Sequence, residues 1–421
     1  MMMSPVTYDR ATARPAVGVY EELGLTPIIN ASGAVTRLGG APMPAAVLAA
    51  FQEAAGQCVP LERLQAAASR VIADVTGAEA GLVTAGAAAA LTLGAAAIMS
   101  GYDLRRMELL PQTDGSFPDE FVVAREQRNG YDHAVRAAGA KLVEVGFHEI
   151  VANAGVRRAE AWEYEAVFCP RTAGVLYVFA PGSQPPLAEV AAKAHARGLP
   201  VLVDAAGELP PRANLKAIVA GGADLVAFSG GKAIRGPQAT GILCGRRELV
   251  GAAAVQLLDM DDYFELWEPP TEWIDKSRFA GLPRHGIGRG GKVSKEQIVA
   301  LLAALRLFAT GQYDHELQSQ RGRLRRIAER LRGSSAHCEL VDSRDGESPP
   351  RLEIAIDEAA LGRSAFEVCR GLRNGSPPCY VGHGQLREGK LVIHPLHLDD
   401  ERAEKLAKRL HDELSSNSVS P

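Results

Sequence analysis

Short apolar segments alternate with stretches of helical spacing over most of the chain. Short apolar runs bounded by Gly, Pro or charged residues are typical of buried strands, and apolar residues three and four positions apart are typical of amphipathic helices. This alternation predicts an α/β fold with a large, mainly parallel sheet and helices on both faces. The predicted strands cover residues 81–84, 120–124, 141–145, 174–179, 200–204, 224–229 and 241–244, and the predicted helices 44–76, 87–99, 186–197 and 213–220.

The pattern changes after Val293, where long amphipathic helices precede a few strands. Such an arrangement predicts a smaller α+β domain. Its helices are predicted over 293–308, 314–332 and 399–414, and its strands over 351–356 and 390–394. We expect an N-terminal arm over 1–45 that packs with the small domain, a large α/β domain over 46–285 and the small domain over 286–421.

Composition and charge exclude several classes of function. Hydrophobic residues make up 47% of the 421 residues and charged residues 23%, which is typical of a water-soluble globular protein. Even the Ala-rich segment 82–99 consists largely of small residues and ends at Ser100-Gly101-Tyr102-Asp103, so it does not match the roughly 18 strongly apolar residues that cross a bilayer. The net charge of −4 and the lack of a Lys/Arg run argue against nucleic acid as a partner. Six scattered cysteines and an N-terminus without a signal-peptide pattern lead us to expect a cytoplasmic protein.

An acid and a lysine follow two consecutive predicted strands. Asp204 ends one strand, and Lys232 follows the next, just after Ser229-Gly230-Gly231. The carboxyl ends of parallel strands meet at one edge of a sheet, so both side chains can reach one ligand. A lysine in such a turn can form an imine, and an acid can hold a pyridinium nitrogen protonated. Taken singly, Asp204 as a helix N-cap and Lys232 as a solvated loop residue are the commoner interpretations, but together the two residues indicate pyridoxal 5'-phosphate (PLP).

A phosphate site is the next requirement of that cofactor. The segment Thr84-Ala85-Gly86-Ala87-Ala88-Ala89 forms a strand-to-helix turn with side chains too small to block the backbone N–H groups. Helix N-termini of this kind bind phosphate, although an Ala-rich helix after a Gly turn more often reflects close packing. The hydroxyl of Ser229 can add to the same phosphate site.

Several longer segments resemble a known family. They are Pro27-Ile28-Ile29-Asn30-Ala31-Ser32-Gly33, Thr36-Arg37-Leu38-Gly39-Gly40, the segment from Val203 to Pro211, the segment from Gly222 to Lys232, and Arg235-Gly236-Pro237-Gln238. In this order, over about residues 20 to 410, the chain resembles fold type I PLP enzymes, and within them the group of bacterial selenocysteine synthase and D-glucosaminate-6-phosphate ammonia-lyase.

The resemblance implies the cofactor and the residues that hold it. Lys232 would form the imine, Asp204 would face the pyridine nitrogen, and Gly86, Ala87 and Ser229 would contact the phosphate. For the group stacked on the ring, the candidates are Gln127 and His133; for His133, a purely local role at a helix start is equally compatible with the sequence.

The resemblance also implies a homodimer or a larger assembly with active sites at subunit interfaces. Arg289 and Lys292 would then reach a neighbouring cofactor. The Gly286-Ile287-Gly288-Arg289-Gly290-Gly291 segment matches a dinucleotide fingerprint, but no apolar strand precedes it, so we interpret it as an interface loop.

Two departures from the family concern the substrate. Selenocysteine synthase carries an extra N-terminal domain for tRNA, whereas this chain begins almost at once with its arm, so we expect no tRNA substrate. Relatives often carry an arginine after the Pro-Pro segment, where this chain continues as Cys379-Tyr380-Val381. Arg37, Arg351 and His383 are the candidates to bind a substrate carboxylate instead, and each is equally compatible with a surface position. We expect no metal site, and interpret His394 and His397 as structural.

These observations predict a PLP-dependent lyase that acts on a small hydroxylated amino acid or amino-sugar acid by α-proton abstraction and β-elimination. The same cofactor chemistry also fits a racemase or epimerase, an aldolase or an aminotransferase. An alternative of another class is a catalytically silent binding protein that kept the fold, against which the intact Lys232 and Asp204 argue.

Overall fold

The computed structural model describes residues 8–9, 14–15, 18–147, 157–343 and 345–415, and the chain forms two compact units. The central unit is Met43–Gln312, and the discontinuous unit combines Met1–Pro42 with Tyr313–Pro421. The sequence analysis places the corresponding boundaries after residues 45 and 285. The second boundary falls later in the structure, because the helix that follows residue 285 packs within the central unit.

The described residues contain fourteen strands and fifteen α-helices. In chain order the strands are β1 (Tyr8–Asp9), β2 (Arg14–Pro15), β3 (Ile29–Ala31), β4 (Ala80–Thr84), β5 (Glu120–Ala124), β6 (Lys141–Val145), β7 (Thr172–Val178), β8 (Val201–Asp204), β9 (Leu225–Ser229), β10 (Gly241–Gly245), β11 (Ala336–Val341), β12 (Arg351–Ile356), β13 (Cys379–Val381) and β14 (Lys390–Ile393). The α-helices are α1 (Val19–Glu22), α2 (Ala45–Ala55), α3 (Leu61–Thr76), α4 (Gly86–Ser100), α5 (Leu104–Leu109), α6 (Asp132–Ala137), α7 (Ala161–Val167), α8 (Leu187–His195), α9 (Asn214–Ala220), α10 (Arg247–Leu257), α11 (Lys295–Ala309), α12 (Glu316–Arg330), α13 (Glu358–Leu361), α14 (Ala365–Asn374) and α15 (Asp400–Ser415).

A seven-stranded sheet forms the centre of the central unit. Its strand order is β4-β10-β9-β8-β7-β5-β6, and β10 runs antiparallel to both of its neighbours while the other pairs are parallel. All residues of β4, β8 and β10 are buried. Strands covered on both faces need apolar residues at every position, which explains the continuous apolar runs in the sequence. The predicted α/β class with a mainly parallel sheet is confirmed.

Helices cover this sheet. The Ala-rich α4 packs against β9, β10 and α10, and a Cβ atom on its Gly94 would lie 2.8 Å from Leu202 on β8. Helix and sheet therefore approach more closely than larger side chains allow. The helix predicted over 44–76 is two helices, α2 and α3, because Pro60 caps a second start. Helix α11 packs on both of these helices, and its Ile298 and Leu301 are buried.

The discontinuous unit has an antiparallel sheet of order β11-β12-β14, and β3 pairs in parallel with β13. Helices α12, α14 and α15 bury one face each, with Leu324, Leu372 and Leu406 fully buried. The predicted strands 351–356 and 390–394 are confirmed, whereas β11 and β13 lay outside the predictions. No helix in the described part of the chain is both long and apolar enough to cross a membrane.

Candidate active site

Three strand ends bring the candidate residues to one edge of the large sheet. The parallel strands β4, β8 and β9 end at Thr84, Asp204 and Ser229. The antiparallel β10 begins at the same edge, where Gly241 pairs with Thr84 on one side and with Ser229 on the other. This edge is the usual ligand-binding position of an open α/β sheet.

Asp204 is 8% exposed at the centre of this edge, between Val178 of β7 and Ala227 of β9. Its Oδ1 accepts a hydrogen bond of 3.0 Å from the N–H of Ala206. Burial raises the pKa of Asp204, while the Ala206 N–H and the positive charge of Lys232 oppose the rise. The following helix, α9, begins only at Asn214, so Asp204 is not a helix N-cap. A buried carboxylate in this position is suited to a cationic partner.

Lys232 lies in the turn after β9 and is half-buried. Its Nζ lies beside Gly207, where a Cβ atom would be 3.9 Å away. Among the described residues the ammonium makes no hydrogen bond or ion pair, yet its charge acts on the pKa of Asp204. The amine is therefore close to the acid and available to a ligand.

The glycines before Lys232 shape the turn that carries it. In the structure, a Cβ atom on Gly231 would come within 2.5 Å of the Gln238 backbone, and one on Gly230 within 2.3 Å of Thr240 Oγ1. Both glycines thus permit the turn to fold back on the 238–240 segment, which fixes the backbone that carries Lys232.

The turn between β4 and α4 is open at the helix N-terminus. Gly86 has φ +85°, and no atom lies within 4 Å of the position of a Cβ there. The Thr84 hydroxyl donates to the Gly86 carbonyl at 2.9 Å, and no side chain caps the helix. The first N–H groups of a helix lack partners within it, and the first residues of α4 are glycine and alanine, whose side chains do not block access to them. The turn has the form of a phosphate site.

Gln127 ends the short 3-10 helix after β5 and is 9% exposed. Its Oε1 accepts a 3.1 Å hydrogen bond from Val178 N–H, in the strand next to Asp204, but its buried Nε2 has no partner among the described residues. Buried amide groups are rarely left unpaired, so this donor fits a ligand group.

His133, the other stacking candidate, is the second residue of α6 and is exposed, with Nδ1 3.2 Å from an Arg136 guanidinium nitrogen. The start of α6 is nevertheless close to the site, since the charge of Asp132 contributes to the raised pKa of Asp204.

Arg289 lies in a 3-10 helix over Ile287–Gly291 and is hydrogen-bonded to Asp259 of its own chain. Its contact with a neighbouring cofactor, and that of Lys292, stay predictions. A Cβ atom on Gly286 or Gly288 would lie 2.7 to 3.0 Å from backbone atoms of Gln256, so these glycines hold the loop against α10. A dinucleotide site requires a strand directly before this motif, and the described residues directly before Gly286 form none.

The three substrate candidates lie in the discontinuous unit, and no hydrogen bond or ion pair is found between them in the described residues. Arg37 is exposed, with its guanidinium carbon 5.7 Å from the ring centre of Tyr380. Arg351 pairs with Glu353 at 2.9 Å, and His383 is exposed just after β13.

Sequence reasoning missed two acids of the site. Asp132 is buried and hydrogen-bonded to Arg128, and Glu208 is half-buried four positions after Asp204. Glu208 stands within a segment that carries the family resemblance, which was the only available signal.

Comparison with known proteins agrees with this geometry. A family model described as L-seryl-tRNA selenium transferase matches residues 28–259, which is more than half of the chain. The chain belongs to the L-seryl-tRNA selenium transferase family. A second model, aminotransferase class-V, matches residues 171–359.

Two relatives match almost the whole chain. A 5'-C-glycyluridine monooxygenase-decarboxylase of a Streptomyces species is 32% identical over 415 residues, covering 96% of this chain and 93% of the relative. A D-glucosaminate-6-phosphate ammonia lyase of Salmonella typhimurium is 27% identical over 403 residues, covering 94% and 97%. The solved structure of a D-glucosaminate-6-phosphate ammonia-lyase superposes with a TM-score of 0.77 at 26% identity, covering 95% and 98%.

The chain is therefore a PLP-dependent enzyme of fold type I, as predicted from the sequence. Its residues fit the cofactor. The open N-terminus of α4 fits the phosphate, the buried Asp204 fits the ring nitrogen, and the Nζ of Lys232 fits the aldehyde carbon.

Proposed function

We propose that the protein is a lyase that releases ammonia from a small hydroxylated amino acid or amino-sugar acid by α-proton abstraction and β-elimination. The observation that carries the proposal is the placement of Asp204, Lys232 and the α4 N-terminus at one sheet edge, in a chain that matches an ammonia-lyase over nearly its full length.

Each residue has a definite task in this reaction. PLP, when bound, supplies the electron sink that stabilises negative charge at the substrate α-carbon. The Asp204 carboxylate holds the proton on the ring nitrogen, and Ser229 with the N–H groups of Gly86 and Ala87 holds the phosphate. The Nζ of Lys232, with no partner among the described residues, first binds the cofactor covalently and then accepts the α-proton.

The direct experiment is an assay of the PLP-loaded protein with 2-amino-3-hydroxy acids, including D-glucosaminate with and without a 6-phosphate. Equal amounts of ammonia and 2-keto acid are expected from at least one of them, under air and under argon alike. Exchange of the α-proton in deuterated water without keto acid would instead indicate racemisation. No exchange with any amino acid would leave the silent binding protein as the better interpretation.

A second candidate is an oxygen-dependent decarboxylation. It is favoured by the 32% identity over 96% of the chain to the 5'-C-glycyluridine monooxygenase-decarboxylase. Its signature is uptake of O₂ and release of CO₂ from an amino acid attached to a nucleoside, with no turnover under argon. The same assay, with an oxygen electrode, separates the two candidates.

We also propose that the enzyme works in the cytoplasm as a homodimer or larger assembly, with Arg289 and Lys292 close to a neighbour's cofactor. Support comes from the N-terminal arm, where Tyr20, Leu23 and Leu25 are more than half exposed. Several large apolar side chains exposed within one short segment are typical of a surface that a partner covers.

A further inference from the structure

Glu208 is an acid at the edge of the site that has no role in the proposed reaction as described so far. It ends the turn after β8, where its N–H donates to the Ala205 carbonyl at 3.2 Å. Its own carbonyl accepts a 2.7 Å hydrogen bond from the Asn214 side chain. The backbone is thus fixed on both sides, while the half-buried carboxyl group makes no hydrogen bond or ion pair with any described residue.

The surroundings of this carboxyl belong to the reaction centre. The preceding residue, Gly207, lies beside the Nζ of Lys232. Burial raises the pKa of Glu208, the negative charge of Asp204 raises it further, and the positive charge of Lys232 opposes both. A larger fraction of Glu208 is therefore protonated near neutral pH than of an ordinary glutamate.

Loss of a β-hydroxyl group needs a proton donor for the leaving group. Hydroxide is a poor leaving group, so the departing oxygen needs a proton as the carbon–oxygen bond breaks. Asp204 stays ionised beside the ring nitrogen and does not supply this proton. Lys232 carries the α-proton, and a separate acid makes a transfer of that proton from Lys232 to the leaving group unnecessary.

We propose that Glu208 is the general acid that protonates the departing β-hydroxyl group. The inference rests on the lyase function proposed above. The Cα–H electron pair becomes the Cα=Cβ π bond, the Cβ–O bond breaks with its pair going to oxygen, and the Glu208 O–H proton completes a water molecule. Glu208 is left as a carboxylate and regains a proton from solvent. Hydrolysis of the resulting enamine consumes one water and yields ammonia and the 2-keto acid.

The test compares leaving groups that do and do not need a proton. The accepted 2-amino-3-hydroxy acid and its 3-chloro analogue are assayed with the PLP-loaded wild type and E208Q. Chloride departs without protonation. E208Q is therefore expected to lose about 10²–10⁴-fold in kcat for the hydroxy acid and to stay within about threefold for the chloro acid. Equal losses for both substrates, or no loss for either, would overturn the proposal.

Two further readouts make the result specific. The hydroxy-acid kcat of the wild type is expected to fall at high pH as Glu208 loses its proton, and this limb is absent in E208Q. In the cofactor-free protein, E208Q should gain stability over wild type as the pH rises through the raised pKa of Glu208, since the ionised form is disfavoured in the folded state. The matched control is E189Q, an exposed acid on α8, which should change none of these quantities.

Failure of the two proposals is distinguishable. A wild type that exchanges no α-proton and releases no keto acid contradicts the lyase function itself. A wild type that eliminates water normally, beside an E208Q variant that does the same, contradicts only the role of Glu208.

Discussion

The buried Asp204 carboxylate destabilises the cofactor-free protein, whereas its negative charge favours binding of a cationic ring nitrogen. Burial raises its pKa, so the folded state binds its proton more tightly than the unfolded chain does. Stability without cofactor therefore decreases as the pH rises from the ordinary aspartate value through the raised one, and stays low above it. A cationic ring nitrogen reverses this preference by favouring the ionised form.

We therefore expect Asp204→Asn to raise the melting temperature of the cofactor-free protein at pH 7 and to leave it unchanged at pH 3. Asparagine keeps the acceptor for the Ala206 N–H but no charge, so the rate with cofactor should fall by about 10²-fold or more. Thermal unfolding at several pH values and the ammonia assay measure the two effects. A variant that is less stable than wild type at pH 7 would show that Asp204 serves the fold rather than the cofactor.

Lys232 leads to an equally direct expectation. After treatment with PLP and borohydride, mass spectrometry should find the reduced cofactor attached at Lys232. In Lys232→Ala the specific adduct is absent, and the elimination rate falls by about 10²–10⁴-fold because the base is lost. Lys216, on α9 of the same unit, is the control lysine, and its replacement should leave both readouts unchanged.

The position of a residue could be predicted where its side chain stood at a recognisable place in a pattern. Asp204 and Lys232 follow apolar runs, so their positions at a sheet edge could be read from the chain. Glu208 and Asp132 lack such a marker, since their raised pKa or their influence on Asp204 depends on neighbours brought in by folding. The glycines at 230 and 231 were noticed, but the backbone that they accommodate was not visible from the sequence.

At the scale of elements, β10 couples the phosphate turn to the lysine turn. Its first residue, Gly241, pairs with both Thr84 and Ser229, and a Cβ atom there would lie 2.3 Å from the Gly86 carbonyl carbon. Glycine at 241 therefore permits the β4–α4 turn to lie directly against β10, and a side chain there would push the turn outward. The position of the phosphate site therefore depends on a strand that contributes no ligand.

Gly241→Ala should accordingly push the Gly86 turn outward. We expect a loss of about 1–3 kcal/mol in the free energy of unfolding, typical of overpacking, and weaker PLP binding. Denaturant unfolding and a PLP titration measure these quantities. The control is Gly281→Ala, where no atom lies within 4 Å of the added methyl group, and which should be nearly neutral in both. Unchanged PLP affinity in Gly241→Ala would contradict the coupling.

Strands with more buried residues were easier to predict from the sequence. Strands of the large sheet have apolar residues at nearly every position and were found, whereas β11 alternates half-buried residues with the exposed His337 and Glu339 and was not. The three-residue β13 is too short for any periodicity. The antiparallel direction of β10 depends on which strands it pairs with in the folded protein. The alternation of strands and helices along the sequence could therefore indicate only that the sheet is mainly parallel.

At the scale of the whole molecule, the exposed arm leads to a prediction about assembly. Leu23 is 58% exposed beside other apolar residues of the arm. If a second copy covers them, Leu23→Asp should lower the mass measured by light scattering and reduce activity with it, because a buried unpaired charge is costly. Glu21→Gln, at an exposed position two residues earlier, is the control. A wild type that is already monomeric and active would contradict the interface proposal.

The reaction and the substrate are properties of the whole molecule, and the sequence was least informative about these two. The ammonia lyase and the monooxygenase-decarboxylase both match over more than nine-tenths of the chain. The cofactor and its lysine and aspartate serve many reactions, so the outcome depends on groups around the substrate. Arg37, Arg351 and His383 stay predictions as substrate ligands.

The pairing of β3 with β13 determines when β3 can complete its fold during protein synthesis. Ile29 and Ala31 are buried in the discontinuous unit, but their partner strand is made roughly 350 residues later, which at about 5–20 residues per second corresponds to roughly 20–70 s of synthesis. The central unit emerges from the ribosome during that interval with all of its strands. The β3 segment is therefore made before the central unit but completes its pairing after it, and its apolar residues lack β13 as a partner until then.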